Sequence, residues 1–426
     1  MPLSYPETYY AQSLSEITAR PALQGRTEAE VIIVGGGLAG LVTALELARG
    51  GLKPLLLEAH SVGWGASGRN GGIVSPAFAC DGDAIAARVG PDAARALHRL
   101  TIEGVARVRG YISDLNIAGA QPTPGLLNLR RFDKASDLHA YAAEFARDFG
   151  YEFTYLNRAA IRERLVSDRY FHGLADAQAF HIHPLNYLRG LAAEIERLGG
   201  RIHEASPATQ AQLRGTVKII KTAQGEAHAP RVVLCTGGYT DGLVPRLNRA
   251  VLPIATYMML SEAAPDLIAS AIRTPEAVLD DRRASDYYRV VDGGKRLLWG
   301  GRITTRAASA AGVAAELRRE MIGAFPQLAG LKTDLSWSGQ MGYARHLMPQ
   351  IGQMEPNVWH ATAFGGHGLN TTAACGKVLA EAILGETDRI QMFKAFGLDW
   401  AGGPLGLAAA QLTYWKLQAQ DWWRER

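Results

Sequence analysis

The chain has 426 residues, 47% hydrophobic and 20% charged, enough for one large core or two domains. Its 45 Lys and Arg against 41 Asp and Glu leave a formal charge of +4, too mild to argue for nucleic acid or a membrane surface as partner. Cys80, Cys235 and Cys375 are scattered, with no CxxC pair and no disulfide framework, which fits a reducing compartment. The start lacks a basic segment followed by an apolar run, and no run reaches transmembrane length, so a cytoplasmic protein is expected.

Residues 1–27 read as an irregular arm in which Tyr5, Tyr9 and Tyr10 are apolar enough to dock on the body. Val31-Ile32-Ile33-Val34 then reads as a buried parallel strand. Gly35, Gly36 and Gly37 allow a sharp turn and a close approach of backbone N–H groups to a ligand. Leu38, Ala39 and Gly40 lead into a helix with Leu41, Ala44, Leu45 and Ala48 on one face, stopped by Gly50-Gly51. A second strand, Pro54-Leu55-Leu56-Leu57, ends at Glu58-Ala59, with Glu58 eighteen residues past Gly40. Strand, glycine turn, helix, strand and terminal acid together form a dinucleotide-binding fingerprint. The pyrophosphate would sit at the positive end of the helix. Glu58 would accept the ribose hydroxyls and disfavour a 2′-phosphate.

Five glycines fall within Gly63-Trp64-Gly65-Ala66-Ser67-Gly68-Arg69-Asn70-Gly71-Gly72, too many for a stable helix or strand. Directly after the ribose acid, such a loop suggests a second cradle around the same ligand. Ser67 can donate to a phosphate, and Arg69 can pair with one or with a nearby carboxylate. Residues 84–117 read as one or two helices, with a start at Pro91-Asp92. Residues 119–125 form a turn region, 126–129 a short strand, and 137–149 an amphipathic helix closed by Gly150. Asn186 is the expected N-cap of a helix over 187–198. His172, His181 and His183 lie close in sequence but lack metal-ligand spacing on a helix, and no metal is expected.

Strands are expected at 201–205, 217–221 and 231–238, the last ending in Thr236 and Gly237 with Cys235 as inert core. A long strand over 251–260 precedes a hairpin, 286–291 and 295–299, about Asp292-Gly293-Gly294. A helix over 310–325 and a strand over 331–340 bearing Trp337 complete an α+β lid. A strand over 358–364 then runs into Gly365-Gly366-His367-Gly368-Leu369-Asn370-Thr371-Thr372, followed by a helix over 373–384. This repeats the N-terminal strand–turn–helix logic. The tail 405–426 reads as helical, with Leu407, Leu412, Trp415 and Leu417 on an apolar face.

Several strings carry a resemblance: 63–72, Ser167-Asp168-Arg169-Tyr170, 181–186, Asp286-Tyr287-Tyr288-Arg289, Phe325-Pro326-Gln327-Leu328 and Trp337-Ser338-Gly339. Over nearly its whole length the chain resembles the FAD-dependent D-amino-acid-oxidase-type family of amine and amino-acid oxidoreductases. Within it, the strings resemble the branch that acts on gamma-glutamylated polyamines. The resemblance implies a two-domain α/β plus α+β flavoprotein, with a Rossmann-like FAD-binding domain and a mixed β-sheet substrate domain. The FAD-binding parts would be 28–117, 158–247 and 346–426 with the C-terminal helix. The substrate parts would be 118–157 and 248–345. FAD contacts are implied at Gly35, Gly37, Leu38, Ala39, Gly40, Glu58 and Ala59. The loop would add Gly65, Ala66, Ser67, Arg69, Asn70, Gly71 and Gly72, and the later strand Thr236 and Gly237. Gly366, His367, Gly368, Leu369, Asn370 and Thr371 would meet the flavin pyrimidine. FAD is expected to be non-covalent, because Cys375, inside a helix, is a weak attachment candidate.

The implied reaction oxidises the C–N bond of a small amine or amino acid, such as a gamma-glutamylated polyamine or a secondary amino acid. Hydride would pass to flavin N5, and the imine would hydrolyse to an aldehyde or keto acid. O2 or a respiratory acceptor would take the electrons. The expected catalytic set is His367, Tyr288, Arg289 and Arg302, with Arg289 or Arg302 holding a substrate carboxylate. His367 reads equally as a flavin or substrate partner and as a loop histidine satisfied by the backbone. The sequence departs from the relatives at 370–372 and 302–313, where substrate preference would differ. The competing class is a fold-sharing flavoprotein, either a tRNA-modification flavoenzyme or a non-catalytic flavin-binding protein. The lack of a basic stripe argues against RNA.

Overall fold

The computed structural model describes residues 5–15, 17–282, 286–306 and 308–425. Residues 1–4 and 16 of the expected arm, Ala307 of the divergent stretch and Arg426 of the tail lie outside that set.

A six-stranded sheet is built from both ends of the chain. Its order is Gln350–Glu355, Val358–Thr362, Val232–Leu234, Val31–Val34, Pro54–Leu57, Arg201–His203, parallel except for the first pair. The central strands are apolar at every position because both faces are covered. Val31, Ile33 and Leu56 pack against the helices Leu38–Arg49 and Gly368–Leu384. Ile32, Val34, Leu55 and Leu57 point the other way, onto Ile220 and Ala227. Those two belong to a small sheet the sequence reading did not assemble: Gly25–Glu28, Gly225–Ala229, Lys218–Lys221, Gln210–Gln212.

The second large sheet is mainly antiparallel. Its path runs Thr333–Tyr343, Leu252–Ser261, Arg296–Thr304, Tyr287–Val291, Ala277–Asp280, Thr123–Arg130, His172–His181, Ile73–Val74, with Thr154–Leu156 beside His172–His181. One face buries Leu127, Tyr257, Met259, Tyr288 and Trp299 beneath Val313, Leu317 and Met321 of the helix Ala310–Ala324. The expected hairpin forms with Tyr287 opposite Gly300 and Tyr288 opposite Trp299. Positive φ at Asp292, Gly293 and Gly294 makes its turn.

The sheets do not change over at residue 158. His172–His181 pairs with Thr123–Arg130 along most of its length, so the chain leaves the substrate sheet only after His181. The following helix, Pro184–Arg197, begins earlier than expected. Its N-cap is His183, whose Nδ1 accepts the Asn186 N–H at 3.1 Å, so Asn186 is not the cap. Proline at the first helical position needs no N–H partner, which lets the helix start there. The helix Gly368–Leu384 also begins five residues before the expected 373, so residues 368–372 are its first turn.

The tail helix spans Gly403–Arg424, but its expected inner face is wrong by half. Leu407 packs on Leu252 and Ile254, whereas Leu412 and Trp415 are exposed. No helix among the described residues is long and apolar enough to cross a membrane.

Candidate active site

The first glycine turn is tight for a reason that can be measured. Gly35 has φ +110°, and a Cβ there would lie 2.4 Å from the Cys235 carbonyl oxygen. A Cβ on Gly40 would lie 1.9 Å from the Gly35 carbonyl oxygen. Gly40 therefore packs the helix start onto the strand end, behind the cavity wall, and is not a contact residue as expected. Turn and helix start are pressed together, and the first N–H groups of Leu38–Arg49 face the cavity. The Leu38 N–H donates to Ser67 Oγ at 3.0 Å, which brings the second glycine loop onto the same helix end.

Glu58 stands where the fingerprint put it. Its Oε2 accepts the Gly36 N–H at 2.6 Å and its Oε1 the His60 N–H at 2.9 Å. Burial pushes the carboxyl up, and those two N–H groups pull against it. Each oxygen retains a lone pair for a ribose hydroxyl. His60 stacks on Trp64 at 3.9 Å, and the Arg69 guanidinium lies 4.7 Å over the Trp64 ring. Arg69 also donates to the Gly65 and Ser338 carbonyls and to Tyr239 Oη, binding the loop to the second sheet. Asn70 closes the loop on itself through the Ala66 and Ser67 carbonyls and the Gly72 N–H.

A cavity of about 950 Å³ runs between the sheets. Gly35, Gly37, Leu38, Ala39, Glu58, Ala59, Gly65, Ala66, Ser67, Arg69, Asn70, Gly71, Gly72, Thr236 and Gly237 line it, as do Gly366, His367, Gly368, Leu369 and Asn370. Thr371 does not: its hydroxyl donates to the His367 carbonyl, while Thr372 lines the wall. The earlier helix start explains this, since it turns residue 371 inward and 372 toward the cavity. The helix Gly368–Leu384 has no side-chain cap at His367, so its first N–H groups also face the cavity. Gly376 holds that helix against Val42, and Gly104 holds it against the helix Pro91–Asp114. Two helix N-termini, a ribose-type acid and glycines without room for a Cβ all suit FAD.

The four expected catalytic residues separate. Tyr288 is not in the cavity; it stacks on Trp299 at 4.3 Å and donates to Tyr170 Oη, in the core beneath the sheet. Strand alternation sends it there. Arg289 is buried and also absent from the cavity wall. Its Nε donates to the Gly71 carbonyl at 2.8 Å and Nη1 to His181 Nδ1 at 2.8 Å. Its Nη2 meets the Ile182 carbonyl at 2.9 Å and Tyr10 Oη at 3.1 Å. It is a clamp on the flavin loop and the N-terminal arm, with four of its five N–H donors committed to protein. The three histidines are parted likewise: His172 goes to Asp133 and Tyr155, His181 to Arg289, and His183 to Ser13. Burial pushes His181 and His183 down to about 3.

Arg302 does reach the cavity. Its φ of +58° lies where the pairing register with Leu252–Ser261 shifts, and the irregularity aims the side chain at the wall. Nη2 donates to Glu320 Oε1 at 2.5 Å, and Nε is buried without a hydrogen bond, 3.7 Å from Glu316. Burial raises the Glu320 carboxyl, but Arg282 and Arg302 outweigh it and hold the group below its usual range. His367 lines the cavity, and burial lowers its imidazole to about 4, so it is neutral at neutral pH.

Sequence reasoning missed Thr256, Tyr343 and Met341 on the same wall, and of the alternating strand residues it chose Tyr288 and Arg289 where Tyr287 is the one that lines the cavity. Tyr287 lies flat between two glycines: a Cβ at Gly71 or at Gly300 would come within 2.7 or 2.2 Å of its ring. The hairpin register Tyr287↔Gly300 was the available signal.

Known proteins resemble the chain over most of its length. Residues 30–382 match the family described as FAD dependent oxidoreductase. The chain is 33% identical to a gamma-glutamylputrescine oxidoreductase of Escherichia coli, over 91% of each chain. It is also 33% identical to the probable oxidoreductase OrdL of Haemophilus influenzae, over 91% of this chain and 90% of that one. Among solved structures, glycine oxidase from Bacillus cereus superposes with a TM-score of 0.71 at 17% identity, covering 85% of this chain and 97% of that one.

Proposed function

Because the chain belongs to the FAD-dependent oxidoreductase family and acts on amines or amino acids, we propose that its substrate is a carboxylate-bearing amine anchored by Arg302. The gamma-glutamylated polyamine named for one relative and a secondary amino acid both fit that description. FAD bound in the cavity supplies the acceptor for a hydride from the carbon beside nitrogen. The carbon and nitrogen are left joined as an imine, which water converts to a carbonyl and a free amine.

The chain's own part is binding and orientation. Arg302 carries the reading, because it is a cavity-lining cation whose side chain is still 22% exposed although Nη2 is held by Glu320. A carboxylate taken out of water needs such a fixed donor, and guanidinium meets it with two parallel hydrogen bonds. Glu320 holds the guanidinium in place from behind. Neutral His367 accepts an N–H of the amine without competing for the carboxylate. Burial pushes the Tyr287 hydroxyl up to about 12, so it remains a donor at working pH. FAD is held non-covalently between the two helix starts.

The test has two arms. Without oxygen, candidate amines are added to the yellow protein; bleaching by gamma-glutamylputrescine or a secondary amino acid supports amine oxidation, and its absence across both classes refutes it. Arg302→Lys is then compared on the acid and on its decarboxylated analogue. KM for the acid should rise about tenfold or more, with little change for the analogue. Equal effects on both place the carboxylate elsewhere.

A further inference from the structure

The C-terminal helix Gly403–Arg424 is more apolar on its solvent face than on the face it buries. Inward it places Gln411, Tyr414 and Asp421. Gln411 Oε1 accepts the Thr305 N–H at 3.0 Å, Tyr414 Oη accepts the Ile303 N–H at 3.3 Å, and Glu425 just beyond pairs with Arg282. Outward, Leu405 is 77% exposed, Leu412 62%, Trp415 45% and Trp423 75%. Lys416 and Arg424 are the charged residues among the helix's exposed positions.

The outward residues are spaced for another helix. Leu405, Ala408, Leu412, Trp415 and Ala419 follow at alternating steps of three and four, the a/d seam of a coiled coil. We propose that this seam packs against the same seam of a second copy of the chain, antiparallel about a two-fold axis. From Ala408 to Ala419 the seam is its own complement when reversed. With the axis between residues 413 and 414, Leu412 meets the partner's Trp415 and Ala408 meets the partner's Ala419. Small residues face each other there and let the backbones approach, while leucine packs on indole. A two-fold pairing demands this self-complementarity.

The size fits as well. At the fractional exposures above, the two tryptophans, two leucines and flanking alanines offer on the order of 600 Å² per copy. Standard stable interfaces bury ~800 Å² per partner, and monomers rarely leave apolar patches above a few hundred Å² in water. A helix lying on an anionic membrane surface would instead carry a row of Lys and Arg beside the apolar face.

Sedimentation equilibrium of the FAD-loaded protein at micromolar concentration should give twice the chain mass of 45.9 kDa. Leu412→Glu, and Leu405→Glu in a second variant, should give the single-chain mass with FAD absorbance and turnover retained. On mild oxidation, a mixture of Ala408→Cys and Ala419→Cys proteins should cross-link, while neither alone should. A single-chain mass for the unaltered protein overturns the proposal. So does a dimer that survives both glutamates, or cross-linking by either cysteine variant alone, which would mean parallel pairing. Co-pelleting of the unaltered protein with phosphatidylcholine vesicles would give the seam to lipid and overturn it too.

Discussion

Arg289→Lys separates a structural arginine from a substrate-binding one. The guanidinium makes four hydrogen bonds, to Gly71, His181, Ile182 and Tyr10, which lie 218, 108, 107 and 279 residues away in sequence. A lysine ammonium on a similar stem is a single point donor and can hold one or two of these. At least two are lost, at ~1–1.5 kcal/mol each, and one or more buried carbonyls are left unpaired at ~1–3 kcal/mol. The sum is ~3–6 kcal/mol, which for a chain of 426 residues is a drop in Tm on the order of 3–7 °C. Because the Gly71 carbonyl is one of the freed groups, FAD should also dissociate faster. The assay is thermal unfolding followed by flavin fluorescence, paired with KM on a carboxylate substrate and on its decarboxylated analogue. Tm should fall and the two KM values should move together. A Tm within 2 °C of the unaltered protein, with KM raised for the acid alone, would show that Arg289 holds substrate and is not a structural clamp.

Glu58→Ala should weaken FAD retention roughly 10- to 100-fold, the ~1.5–3 kcal/mol of a charged hydrogen-bond acceptor, measured by equilibrium dialysis; unchanged retention would mean another group holds the ribose. Acid precipitation should leave a colourless pellet and yellow supernatant, and a yellow pellet would refute non-covalent binding. Stability should fall on acidification. His181, His183 and His360 are pushed by burial to about 3, 3 and 4, so the unfolded chain takes up protons below pH ~6.5 that the folded chain refuses. Each costs about 1–2 kcal/mol by pH 5.5, and denaturant midpoints measured from pH 8 to 5 should fall accordingly. Replacing His181 by Gln should flatten that slope.

What the sequence revealed was whatever local chemistry determines. The strand Val31–Val34, its glycine turn, the helix and Glu58 are neighbours in the chain, and their geometry follows from residue type and spacing alone. The fate of Arg289 was hidden because its partners are distant in sequence, and a charged residue on an amphipathic strand looks the same whether it faces ligand or a carbonyl cage. That Arg302 lies near the cavity was legible in sequence, but its left-handed backbone at a register shift was not, since bulges depend on the partner strand. The tail helix misled for a different reason. Hydrophobicity sends Leu412 and Trp415 inward, yet the surface beneath offers the N–H groups of Ile303 and Thr305, which only polar side chains satisfy. Thr371 was misplaced by a helix phase that a five-residue error in the start had already changed.

The six-stranded sheet draws its middle strands from residues 31–57 and 232–234 and its far edge from 350–362. During synthesis, Val31–Val34 leaves the ribosome with one neighbour soon behind it and the other some two hundred residues later. At ~5–20 residues per second, the last pair joins roughly 15–65 s after the first strand appears. Through that interval a fully apolar ribbon lacks its covering helix Gly368–Leu384, and it is exposed to any other unpaired edge it meets. The nascent chain should therefore be prone to misassociate until residue 384 has been made. FAD cannot rescue it early, because half the cradle is made last. Slower translation, which lengthens the wait, should raise the insoluble fraction, while extra flavin supplied during translation should leave it unchanged.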